Sequence, residues 1–135
     1  RPGVCGTAGM TRKKLIQRLD KVFSQWVRRK DADHRGYVEC WTCGKVLPWS
    51  RVDAGHFQSR AKFSTRWDEM NVKPQCKGCN GFRSGEQFKF ARKLDAVYGQ
   101  GTAEEIERAS NQTRKYSVEE LEALIDVYNR RLRKL

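Results

Sequence analysis

Two Cys-x-x-Cys pairs, Cys40/Cys43 and Cys76/Cys79, stand 32 residues apart and restrict this chain more than any other feature. Each pair offers one edge of a tetrahedron, so together they meet the demand of a single zinc ion with four sulfur ligands. To do so, the chain between them must fold back until its two ends touch. The competing explanation, four reduced core cysteines at coincidental spacing, needs the same accident twice. A site closed by four protein ligands keeps no position for substrate, so this zinc is expected to hold the fold, and chemistry must lie elsewhere. A chain of 135 residues is one domain's worth of protein, with a core modest enough to benefit from such a staple.

Charge narrows the partners. The 28 Lys and Arg outnumber the 16 Asp and Glu, leaving +12. The excess lies wholly in residues 1 to 101, with 21 basic and 9 acidic side chains, whereas residues 102 to 135 carry 7 of each. The basic part is the part with the cysteines, and a field of that sign attracts polyanions such as nucleic acid, with strong salt dependence. A solvated basic surface kept for solubility is the alternative. No window reaches the 18 or more apolar residues of a membrane span, and "RPGVCGTAGM" lacks the apolar core of a secretory signal. These features predict a cytoplasmic protein without membrane contact, in which reduced cysteines bind metal. Cys5 is left over. It falls in residues 1–10, read as a disordered leader with Met10 a candidate natural start, and is assigned no function.

From Thr11 to Arg29, Leu15, Ile16, Leu19, Val22, Phe23, Trp26 and Val27 recur every three or four residues, which predicts an amphipathic helix over 11–30. "KDADHRG" ends it, with Gly36 in a turn and His34 facing solvent. "YVEC", "KVLPW" and "RVDAGHF" read as short strands suggesting a small hairpin. "QSRAKFSTRWDEMNVKPQ" has no clean period and reads as a long basic, aromatic loop. The run from Cys79 to Tyr98 predicts one helix with a weak point near Ser84 and Gly85, or a short helix and then a longer one, stopped by "GQG". Thr102-x-x-Glu105 and Ser117-x-x-Glu120 predict two further helices opened by capping boxes. The last buries Leu121, Leu124, Ile125, Tyr128 and Leu132 and ends in basic residues that complement its dipole.

Asp53, His56 and Asn71 lie between the knuckles, and Asn80 directly follows the last cysteine. An imidazole can take a proton from water near neutral pH, and a carboxylate with an amide oxygen suits magnesium or manganese. Those are the ingredients of metal-assisted phosphodiester hydrolysis.

Cys-x-x-Cys, a strand ending in His, then Asn before Cys-x-x-Cys-Asn resembles the HNH, or ββα-metal, nucleases. "DAGH", the Cys-x-x-Cys-Asn ending and a following "SG" resemble most closely the phage NinG (Rap) recombination proteins, with a more distant likeness to phage endonuclease VII, a resolvase. The likeness covers roughly residues 13 to 132, its signature concentrated in 40 to 85. It implies an α+β fold: an HNH/ββα-metal core over 31–100 stapled by the four-cysteine zinc, with an N-terminal helix and C-terminal helices over 101–135. It implies that His56 is the general base, that Asn80 ligates a catalytic divalent ion, and that Asn71 fixes the loop orienting His56. Most HNH proteins carry Asp or His directly before the base, whereas this chain has Gly55. Asp53 stands about 6.6 Å away along the strand and would reach the ion if the strand bulged at Gly55. Otherwise it accepts a backbone hydrogen bond at a strand end, and Asn80 serves as ligand, helix cap or both.

Arg60, Lys62, Arg66, Lys73, Lys77 and Arg83 surround this segment as expected phosphate contacts. Trp41, Trp49, Phe57, Phe63 and Trp67 interleave with them, expected mostly to pack the small core, with one or two free to stack on bases or wedge a branch point. The resemblance implies a DNA endonuclease of recombination acting on branched substrates such as Holliday junctions, in a phage protein working in the host cytoplasm. Paired cuts favour a homodimer, which the apolar stripes of the first and last helices could build, unless they close the monomer core instead. A zinc-stapled DNA-binding module without catalysis explains the charge and cysteines equally well but needs neither His56 nor Asn80. An HNH nuclease acting on ordinary duplex or single strands is the third reading.

Overall fold

The computed structural model describes residues 6–135 and is a mixed α+β arrangement of five helices and two small two-stranded sheets among those residues. Helix α1 spans Arg12–Arg29, opened by the Thr11 hydroxyl accepting from the Lys14 amide at 3.3 Å. Strands β1 (Tyr37–Glu39) and β2 (Val46–Pro48) form an antiparallel hairpin carrying the first knuckle in its turn. Strands β3 (Val52–His56) and β4 (Val72–Cys76) form a second antiparallel pair, with a short helix α2 (Phe63–Arg66) in their connection. A tight turn, Gly78–Phe82, follows the second knuckle, and then come α3 (Gln87–Tyr98), α4 (Thr102–Ser110) and α5 (Val118–Arg133).

The apolar stripe of α1 packs against that of α5. Leu15, Leu19, Val22, Phe23 and Val27 meet Leu121, Ile125 and Tyr128, with Trp67 and Val72 closing the cluster. The Phe23 and Tyr128 rings cross edge to face at 4.9 Å. Each fully buried Leu or Phe here contributes about 1.5–3 kcal/mol, so this pair of helices is the main brace of the domain. Both stripes are thus consumed inside one chain, and the dimer interface expected from them is not available there. A smaller cluster, Phe57, Phe90, Leu94, Ala103 and Ile106, seats α3 and α4.

Several sequence expectations change. The stretch after Gln58 is not one long loop: Val72–Cys76 is a strand buried at every position, so it lacks the alternation of a strand with one wet face. Its Pro74 carbonyl accepts from the Trp41 amide at 2.8 Å, tying it to the first knuckle. The Ser117–Glu120 capping box forms as expected, and Arg114 with the Ser117 amide pulls the Glu120 carboxyl down to about 2. The Thr102 box does not form. Gly101 precedes the helix in a left-handed conformation, Thr102 donates to the Gly99 carbonyl, and Asp95 of α3 caps the Ala103 amide at 2.9 Å. Two residues of the expected leader pack onto the body: Thr7 is buried and donates to Glu122 at 3.3 Å, and Met10 rests on the main core, while residues 6, 8 and 9 stay exposed. Cys5 lies outside the described residues. No helix among the described residues is long and apolar enough to cross a membrane.

Candidate active site and metal centre

The four knuckle cysteines converge, with all their sulfur atoms within 4.8 Å of one another. Cys43 and Cys76 sulfurs lie 3.8 Å apart, the edge of a tetrahedron with zinc–sulfur bonds of about 2.3 Å. The Cys76 amide donates to Cys40 Sγ at 3.2 Å and the Cys79 amide to Cys76 Sγ at 3.4 Å. Burial opposes a Cys40 thiolate, but amide donation from Cys76 and Cys43 outweighs it and brings the thiol to about 6. The Lys45 amide favours a Cys43 thiolate, yet burial and the neighbouring sulfurs push that thiol up to about 12. Four sulfurs this close can ionise together only around a cation, and the donor set suits zinc. Arg83 Nη2 donates to Cys79 Sγ at 3.1 Å, which makes it an outer partner of this centre and not a free phosphate contact.

The second feature is a cleft of about 610 Å³ between α1 and β3. Its walls include Asp53, His56, Asn80, Arg60, Lys77 and Arg28. Asn80 comes from the turn after the zinc knuckle and donates its amide nitrogen to Asp53 Oδ2 at 3.0 Å. Lys77 Nζ holds the other carboxylate oxygen at 2.6 Å. Burial works to raise the Asp53 carboxyl, but Lys77 and Asn80 hold it below the usual carboxylate range. Asp53 gets there without a bulge: β3 pairs continuously with β4 from Val52–Cys76 to His56–Val72. It is Asn80 that travels to Asp53, because the knuckle folds the turn back over the strand.

Gly55 is required by packing. A Cβ there would lie 1.9 Å from Gln75 Oε1, since the fully buried Gln75 side chain crosses over it. Gln75 is pinned in turn by donating to Thr42 Oγ1 at 3.0 Å and to the Gly85 carbonyl at 2.9 Å. An acid at position 55 would have to displace it.

His56 is half-buried, and its Nε2 lies 3.0 Å from the Arg66 carbonyl. A carbonyl can only accept, so Nε2 carries the hydrogen and Nδ1 keeps its lone pair. Burial pushes the imidazole below its ordinary value, against the weaker upward pull of the Arg66 and Ala54 carbonyls. The segment that carries the Arg66 carbonyl is held by Asn71 through the neighbouring Thr65 carbonyl. That fully buried side chain accepts from the Gln58 amide at 2.7 Å and donates to the carbonyls of Gln58 at 3.1 Å and Thr65 at 2.9 Å, clamping both ends of the loop.

The six expected phosphate contacts divide. Arg60 and Lys77 line the cleft. Arg66 does not reach out: Asp20 of α1 binds it through two oxygens at 3.0 and 2.6 Å, and the same carboxylate accepts from the Trp67 indole at 3.0 Å. Lys73 is only 4% exposed, donating to the Tyr98 hydroxyl and lying between the Trp41 and Tyr98 rings, so it is a packed cation. Lys62 is exposed and reaches Asn111 at 3.3 Å, outside the cleft. One cleft cation was missed from sequence. Arg28 sits on α1 one helical repeat from Ser24, to which it donates at 3.1 Å, and feels the Asp53 carboxylate. The i, i+4, i+8 spacing of Asp20, Ser24 and Arg28 beside the apolar stripe was the available signal.

The family model described as Bacteriophage Lambda NinG protein matches residues 7–135. Similar proteins include the protein ninG of Escherichia phage 933W, 31% identical over 92% of this chain, and that of Escherichia phage lambda, 30% identical over 92%. The protein ninG of Salmonella phage P22 is 28% identical over the same share. The matched region spans 59%, 58% and 59% of those relatives, less than two thirds of their length. No solved structure matches.

Proposed function

The chain belongs to the NinG family, and from that premise we propose that it is a divalent-metal DNA endonuclease of the HNH type, related in motif to endonuclease VII and acting on branched recombination intermediates. The observation that carries this reading is the meeting of Asp53 and Asn80 in the cleft that also holds His56. The donor set fits a hard divalent ion. Asp53 already attracts the Lys77 ammonium, and turning the Asn80 amide would present a second oxygen beside it. Asp53 and Asn80 would hold magnesium or manganese, which when bound neutralises charge on the phosphate and on the leaving 3′ oxygen.

His56 acts as general base. With Nε2 committed to the Arg66 carbonyl, Nδ1 accepts the proton of the attacking water, and Asn71 keeps the loop from letting the ring turn away. The depressed imidazole is neutral, and so able to accept, at physiological pH. Arg60, Lys77 and Arg28 bind phosphates on either side of the scissile one. Resolution of a four-way junction takes two cuts and hence two copies, and these must meet on a surface other than the α1 and α5 stripes.

The test compares a synthetic four-way junction with linear duplex, in magnesium or manganese, for wild type, His56→Ala and Asn80→Ala. Junction cleavage lost in both variants with binding and folding retained supports the proposal. Equal cleavage of linear DNA corrects the substrate, and a wild type that binds DNA but cuts none leaves a zinc-stapled binding module.

A further inference from the structure

The aromatic rings expected mostly to pack do so: Trp41 lies on Phe90 and Tyr98, Phe57 on Phe90, Phe63 on Trp67, and Trp49 beneath Arg28 and Arg29, which leaves none of them free to stack on a base. Among the described residues the most exposed ring is Phe82, 93% exposed and two residues beyond Asn80 in the turn that carries the candidate ion ligand. That turn is rigid. The Arg83 amide donates to the Gly78 carbonyl at 2.8 Å, Ser84 to Gly81 at 3.1 Å, Gly85 to Cys79 at 2.7 Å and Glu86 to Arg83 at 3.0 Å. Ser84 and Glu86 both hold positive φ, 53° and 49°, a conformation that persists in such residues only when the surroundings impose it. Two cysteines of the metal centre lie just upstream, so the base of the turn is anchored as well.

We infer that Phe82 is a stacking platform for a DNA base that has lost a neighbour, presented beside the cleft by the turn that carries Asn80. An aromatic ring presented from a hydrogen-bonded turn stacks on a base at small entropic cost, and the +12 charge of the chain draws a phosphate chain toward it. The same charge disfavours a second copy of this +12 chain as the occupant. Stacking partners are exposed at the crossover of branched DNA and hidden within linear duplex, so the ring would give the proposed nuclease its preference. The inference rests on DNA being the substrate of the cleft, but its readout needs no cleavage.

The experiment uses a four-way junction carrying 2-aminopurine at the crossover, with no added magnesium or manganese. Phe82→Ala is expected to weaken junction binding roughly five- to hundred-fold and to lose the fluorescence quenching, while linear-duplex affinity stays the same. Phe82→Trp restores both, and Phe88→Ala, which removes another exposed ring (74%) outside the turn, changes neither. Unaltered quenching and affinity in Phe82→Ala would overturn the inference, as would an equal loss in Phe88→Ala. So would a Phe82→Ala protein whose only change is dissociation of a dimer, which would assign the ring to a second copy. Quenching by a wild type that never cuts retains the platform and rejects the nuclease reading.

Discussion

The Asn80 amide meets the Asp53 carboxylate at 3.0 Å, joining a turn and a strand that stand 27 residues apart in the sequence. Lys77 competes for the same carboxylate at 2.6 Å. Removing the ammonium should free the site for a divalent ion: Lys77→Met is expected to bind manganese several-fold more tightly by calorimetry, and Asp53→Asn to bind it at least ten-fold more weakly. Unchanged manganese affinity in both variants would exclude Asp53 as a ligand.

His56 sets a pH dependence. Its folded value lies below the ordinary 6.5, so the unfolded chain takes up the proton more readily than the folded one. The stabilisation is therefore complete above about pH 6.5 and is lost as pH falls through the lower, folded value. Denaturant titrations between pH 5 and 7.5 should show this slope in wild type and a flatter one in His56→Ala. The cleavage rate should rise with pH through the lowered imidazole value and level off above it.

Asn71 makes three hydrogen bonds from a fully buried side chain. Asn71→Ala leaves the Gln58 and Thr65 groups unpaired and should cost about 2–4 kcal/mol in chemical denaturation. A value near zero would mean the loop is held by something other than this clamp.

The cysteine centre predicts folding tied to metal. Stripping zinc with a strong chelator, or replacing Cys79 with Ser, should remove at least ~5 kcal/mol and abolish cooperative melting by circular dichroism. Full stability without metal would refute a structural zinc.

Arg66 and Arg60 should separate cleanly. Arg66→Ala strands Asp20 and is expected to destabilise by about 2–4 kcal/mol. Arg60→Ala should leave the melting temperature alone while lowering the slope of log affinity against log salt by about one, as loss of a single phosphate contact does.

How far the sequence disclosed these arrangements depends on the physics of each element. Helices α1 and α5 were readable because long amphipathic stripes and a Ser117–Glu120 box are local signals. The cysteine spacing likewise announced the convergence of the four sulfurs into a cluster that could hold a metal ion. Strand β4 was not readable, since a strand buried on both faces has no alternation and Val-Lys-Pro-Gln-Cys has little β character. The nearness of Asp53 to Asn80 depended on a fold-back that no window contains. Arg66 and Lys73 looked like phosphate ligands because sequence reveals charge but not the tertiary partner, here Asp20 and the Tyr98–Trp41 pair, that has already claimed it.

Gln75, lying over Gly55, ties three things at once: the strand before His56, the first knuckle through Thr42, and the turn beyond the second knuckle through Gly85. Slack in either knuckle would therefore travel along this one amide to the imidazole. The strand before His56 and the segments carrying the four sulfurs thus share one buried side chain, so any loosening at the sulfur cluster would be felt in the cleft early.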